Sequence, residues 1–155
     1  MPKVLLATDG SDFALRSARR ALELIGTDHQ FVVLSAVHPP LPVGDTAVAI
    51  DAVPTPLPDP ETEAIIEEEQ QSAAQSAISE LTSALGIEAE ARIEHGDAGA
   101  VICDVAADIG ADLIVVGSHG RGFLKRMLMG SVSHHVLHHA PSPVLVLRES
   151  EDDNA

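Results

Sequence analysis

The chain has 155 residues, a length that suits one domain with a sizeable buried core. Asp and Glu number 24 against 9 Lys and Arg, a formal charge of -15 that opposes general binding to nucleic-acid backbones or anionic membranes. No run of about eighteen apolar residues occurs, so no membrane span is expected. The single cysteine, Cys103, excludes an intrachain disulfide and a multi-cysteine metal site.

The N-terminus enters a strand pattern with no basic, apolar and small-residue signal order, so a cytoplasmic protein is expected. The acidic excess has two readings. A high-salt cytoplasm would screen the self-repulsion of such a surface, as in a halophile. The other reading is an ordinary acidic protein.

In chain order, Lys3 to Thr8 (KVLLAT) reads as a strand, and Asp9-Gly10 as the turn that ends it. Ser11 suits a helix N-cap, and Asp12 favours the positive end of the helix. Leu15, Ala18, Leu22 and Ile25 keep helical spacing, Arg16, Arg19, Arg20 and Glu23 take the other face, and Gly26 supplies a stop. Gln30 to Val37 (QFVVLSAV) is a second buried strand, closed by His38-Pro39-Pro40 because proline cannot donate to a ladder. The proline-rich stretch Pro39–Pro60 is long for a loop in a compact domain. It reads either as a lid or partner-binding segment, or as a poorly ordered insertion.

Glu61 to Leu85 is a long helix with an apolar stripe of Ala74, Ala77, Ile78, Leu81 and Leu85, stopped by Gly86. Glu88 to Glu94 alternates loosely as a third strand, closed by Gly96-Asp97. The next helix uses Val101, Ile102, Val105, Ala106 and Ile109 and ends at Gly110. Strand four is Asp112–Val116. A helix over Ser131–His139 is broken by Pro141 and Pro143, and Val144–Leu147 forms a fifth strand. The domain is expected over residues 1–149, with an acidic tail at 150–155. Alternation of five apolar strands with four helices predicts an α/β, single-domain, open parallel five-stranded sheet with helices on both faces. Ligands in such folds sit at the carboxyl ends of strands, where the strand order reverses.

The stretch Gly117-Ser118-His119-Gly120, nine residues, then Gly130-Ser131 stands between strand four and the last helix. Glycines at a strand end let backbone approach a ligand closely, and a Gly-Ser helix start presents open N–H groups and a hydroxyl to an anion. Arg121, Lys125 and Arg126 crowd the spacer. They read either as a local positive field for phosphate or as a solvated face.

Rival phosphate motifs are missing. No G-x-x-x-x-G-K-[ST] occurs, and no G-x-G-x-x-G follows the first strand. A receiver-type phosphoacceptor domain needs an acceptor aspartate after strand three, where the chain reads Glu94-His95-Gly96-Asp97. It also needs a lysine after strand five, where Arg148-Glu149 stands.

The motif G-x-x-G, nine residues, G-[ST], matched at Gly117, Gly120, Gly130 and Ser131, resembles the signature of the ATP-binding subgroup of the universal stress protein (UspA) family. The start, Val4 to Ser11 (VLLATDGS), and the ending, Ala140 to Leu147 (APSPVLVL), also resemble that family. The resemblance spans the chain except the Pro39–Pro60 region and the tail. It implies a Rossmann-like fold of the adenine nucleotide alpha hydrolase type. It implies that Ala7, Thr8 and Asp9 border the ribose and adenine, and that Val37 meets the adenine edge through its backbone. Gly117 and Gly120 would allow close approach, with His119 and Arg121 near ribose and phosphates. Gly130, Ser131, Val132 and Ser133 would wrap the β- and γ-phosphates of ATP. Mg2+ would arrive with the nucleotide, and a homodimer would form through Val144–Leu147.

The implied function is an ATP-binding, homodimeric sensor or regulator of stress responses. The alternatives are a slow ATPase or a protein that autophosphorylates at Ser131 or Ser133, and a partner-binding module without nucleotide use. No general base beside the γ-phosphate is evident. Plainer structural roles stand beside these: Asp9 as a turn residue, Ser131 and Ser133 as helix caps, Cys103 as a small buried side chain. His134, His135, His138 and His139 form two i, i+4 pairs. Such pairs suit Zn2+ or Ni2+ but lack an evident third ligand, and a solvated helix face is the other reading.

Overall fold

The computed structural model describes residues 1–38, 58–119 and 129–148. Most of the Pro39–Pro60 stretch, the spacer with Gly120, Arg121, Lys125 and Arg126, and the acidic tail lie outside the described residues.

Five strands and four helices alternate: β1 (Lys3–Ala7), α1 (Asp12–Ile25), β2 (Gln30–Val37), α2 (Pro60–Leu85), β3 (Ala89–His95), α3 (Ala98–Ile109), β4 (Leu113–Gly117), α4 (Ser131–His139) and β5 (Val144–Leu147). All strand pairs are parallel, in the order β3-β2-β1-β4-β5. This is the predicted open five-stranded α/β sheet. The bounds of β2, α4 and β5 match the sequence pattern. β3 and β4 each start and end one residue later than predicted, because pairing extends them: His95 lies opposite Val37, and Gly117 opposite Leu147.

Two apolar layers hold the sheet, and the strand period of two assigns each residue to one of them. Val4, Leu6, Val33 and Val115 pack with Ala18, Ala21 and Leu22 of α1 and with Ile78 and Leu81 of α2. Leu5, Val32, Leu34, Ile114 and Val116 face the opposite way, onto Val101, Ile102, Val105 and Ala106 of α3 and Val136 of α4. The inner strands are apolar throughout because both of their faces are covered. β3, at one edge, is mixed: Arg92 there pairs with Glu90 at 2.8 Å and lies 3.7 Å from Asp108.

Local chemistry sets the helix ends. Ser11 Oγ accepts from Ala14 N at 3.1 Å, Asp59 Oδ1 from Thr62 N at 2.8 Å, and Asp97 Oδ1 from Ala100 N at 3.2 Å. These caps satisfy N–H groups that have no partner inside the helix. Gly86 and Gly110 close α2 and α3 with φ of 63° and 62°, a left-handed conformation that glycine adopts without a Cβ penalty. As a crossover helix, α2 runs opposite to the strands, so its first half lies toward their carboxyl ends. None of its residues before Ala74 is buried.

Candidate nucleotide site

The strand order reverses between β1 and β4, and there a cavity of about 580 Å³ opens at the carboxyl ends of β1, β2 and β4. Ala7, Thr8 and Asp9 at the end of β1, Val37 of β2, Gly117 and His119 at the end of β4, and Gly130, Ser131, Val132 and Ser133 at the start of α4 all line it. Ten of the predicted site residues therefore share one cavity. Gly120 and Arg121 lie outside the described residues.

At the β1 end, Thr8 is buried; its N–H donates to Leu34 O at 2.9 Å, and its Oγ1 accepts from Gly10 N at 3.1 Å. Asp9 Oδ1 accepts from Ser11 N at 2.9 Å. Asp9 thus shapes the turn into α1 and also lines the cavity. On β2, the carbonyl of Val37 accepts from Gly96 N at 2.9 Å. A carbonyl has two lone pairs, so one remains for a ligand edge.

The opposite end is built from the start of α4. Gly130 is its N-cap and makes no side-chain cap bond. The first-turn N–H groups of Ser131, Val132 and Ser133 therefore have no capping side chain, and the positive end of the helix dipole faces the cavity wall. Gly130 N and Ser133 Oγ both donate to the carbonyl of Ser118, the latter at 3.0 Å, which ties the two halves of the glycine motif together. Ser133 is almost fully buried and its hydroxyl also reaches Gly130 O at 3.0 Å. Its single proton is spent on backbone carbonyls, so the hydroxyl is committed within the protein. Ser131 is exposed.

Gly117 and Gly130 stand in tight space rather than at unusual backbone angles, since neither has positive φ. A Cβ on Gly130 would stand 3.2 Å from Ser118 O and 3.3 Å from His119 Cα. A Cβ on Gly117 would stand 2.6 Å from Cε1 of Phe13. The close neighbour of Gly117 is thus an aromatic side chain of α1.

Several lining residues were not anticipated from sequence: Gln70 and Ala73 of α2, Ala98 and Ile102 of α3, and Ala14 of α1. A signal existed for Gln70. It lies four residues before Ala74 and seven before Ala77, so it continues the apolar stripe of α2 past the sheet edge. Two groups with displaced pKa values, Arg92 and Cys103, lie away from the cavity. The hydrogen bond to Glu90 holds Arg92 above its ordinary value, and burial followed by the Asp104 charge pushes the Cys103 thiol up.

On α4, His134 and His138 have ring centroids 4.5 Å apart, and His135 and His139 stack at 4.2 Å. His139 Nδ1 contacts His135 O at 2.9 Å, and the ring of His135 lies against Gly99 of α3. Among the described residues no group of three or more His, Cys, Asp or Glu is placed to hold a metal ion. No helix among them is long and apolar enough to cross a membrane.

Residues 1–148 match the universal stress protein family. The chain is 33% identical over 152 residues to universal stress protein YxiE of Bacillus subtilis, covering 94% of this chain and 98% of that one. Among solved structures, hypothetical protein MJ0577 superposes with a TM-score of 0.76 at 24% identity, over 97% of both chains. The family protein At3g01520 of Arabidopsis thaliana, solved with AMP bound, superposes with a TM-score of 0.66 at 20% identity, over 100% of this chain and 96% of its own. The chain belongs to the universal stress protein family.

Proposed function

We propose that this protein binds ATP, accompanied by Mg2+, and acts as a homodimeric sensor or regulator of a stress response. The observation that carries this reading is the uncapped start of α4, which lines the same cavity as Asp9 and the end of β2. A helix start without a side-chain cap suits phosphates, and a carboxylate suits ribose hydroxyls. The AMP-bound Arabidopsis protein of the same fold supports an adenine nucleotide as the ligand class.

In this arrangement Val37 and the apolar ends of β1 and β2 receive the base, and Asp9 the ribose. Gly130 to Ser133 surround the phosphates through N–H groups, with His119 beside them, and Gly120 and Arg121 complete the motif. Mg2+ is held mainly by the phosphates, since the described lining residues form no carboxylate cage. Tight holding rather than rapid turnover follows, because the carboxylate of Asp9 serves the sugar end. Any phosphoryl transfer to the protein would fall on the exposed Ser131 rather than on buried Ser133.

The dimer forms through β5. This edge strand is VLVL, with Val144, Leu145 and Val146 only partly buried, whereas the other edge carries charges that discourage pairing. Calorimetry with ATP, ADP, AMP and Mg2+ tests the binding; absence of ATP binding by the wild type overturns it. Sedimentation of Val146→Lys tests the dimer, with a monomer expected and an unchanged mass counting against the β5 interface.

A further inference from the structure

The ring of Phe13, in the first turn of α1, lies parallel to the imidazole of His119, with centroids 3.8 Å apart and planes inclined by 16°. Arg16, three residues along α1, lies 6.0 Å from the Phe13 centroid, at the limit of a cation–π contact. Gly117 leaves the space that Phe13 fills, since even a methyl there would overlap its ring. His119 Nδ1 lies 2.9 Å from Ser118 Oγ, and Ser118 is itself almost fully buried and bonded through its carbonyl to the start of α4.

The imidazole is thus covered on one face and tied at one nitrogen, which defines both its tilt and its rotation about the ring normal. When the Ser118 hydroxyl donates to Nδ1, the ring proton resides on Nε2. In that tautomer Nε2–H is a donor of the kind that a phosphate oxygen accepts. The same turn that sets Asp9 also sets Phe13. Ser11 N donates to Asp9 Oδ1, and Ser11 Oγ accepts from Ala14 N, so the start of α1 is fixed from the sugar side.

Resting on the nucleotide reading above, we infer that Phe13 is a positioning residue for phosphate recognition, acting through His119. It holds the imidazole in one orientation at the cavity wall, and so links the end that carries Asp9 to the end that carries the phosphates. Phe13 need not touch the nucleotide. Its effect therefore scales with the presence of phosphate and vanishes when the imidazole is absent.

A double-mutant cycle read by calorimetry on the full chain tests this, with ATP and adenosine as the two probes. Phe13→Leu is expected to weaken ATP about 3- to 10-fold, the range of an aromatic pair, and adenosine less than about twofold. His119→Ala is expected to weaken ATP about tenfold, as for a lost hydrogen bond to a charged group. In that background Phe13→Leu adds nothing, whereas Phe13→Tyr keeps near wild-type affinity. Equal losses in both backgrounds, or an equal loss for adenosine, overturn the positioning role and leave ATP binding intact. A wild type that binds no ATP overturns the nucleotide reading and this inference together. The imidazole proton shifts of His119 in wild type give a readout independent of variant folding and of ligand. Upfield displacement by the Phe13 ring current is expected, and ordinary shifts overturn the stack.

Discussion

The helices α3 and α4 lie on the same face of the sheet and begin in opposite ways. Asp97 starts α3 with a carboxylate bonded to Ala100 N, a negative group on the positive end of the helix. Gly130 starts α4 with no side chain, and its amide instead reaches across to Ser118. Both helices need their first-turn N–H groups satisfied. The first does this from its own sequence, which stabilises the fold in every state of the protein. The second has no side chain that does so. Among the four helices, α4 alone starts without a side-chain cap.

Reversing the contrast at Gly130 should produce the largest effect. Gly130→Asp would place a cap and a negative charge where phosphates are proposed, and its Cβ would crowd Ser118 O and His119 Cα. ATP affinity by calorimetry is expected to fall roughly 100-fold or more, as like charges at contact distance predict. Wild-type affinity in this variant would separate α4 from phosphate binding. The converse change, Asp97→Ala, should cost about 1 kcal/mol in urea unfolding and leave ATP affinity unchanged. A matching loss of affinity would mean that the two helix starts are coupled.

The smallest effect concerns pH. The hydrogen bonds from Thr62 hold Asp59, the cap of α2, below its ordinary carboxyl value of 3.8. A lowered folded value means that the stabilisation is present above the unfolded value and is lost as pH falls through the folded one. The stability difference between wild type and Asp59→Ala should therefore be level near neutral pH and shrink below about pH 4. A difference that grows with acidity would contradict the capping geometry.

Much of this architecture was legible because it is local. Gln30–Val37 and Ser131–His139 could be read to the residue, since proline stops, glycine stops and apolar periodicity act over a few positions. The motif at Gly117 and Gly130 was legible for the same reason. Asp9 was expected at the site because it stands at a predicted strand end, and Val37 only because the family resemblance implies it. Gln70 was missed because its role depends on how far α2 extends past the sheet edge, which no short-range pattern encodes.

Sequence alone determined which segments become strands and helices, where the glycine motif stands, and which family the chain resembles. Tertiary structure alone decided the order β3-β2-β1-β4-β5, hence which strand ends share a cavity. It also decided that Ser133 turns its hydroxyl inward and that Phe13 stacks on His119 and makes Gly117 necessary. The reason is physical: local propensity acts within a turn or two of the chain, whereas Phe13 and His119 meet only because parallel pairing of β1 with β4 carries α1 over the carboxyl end of β4.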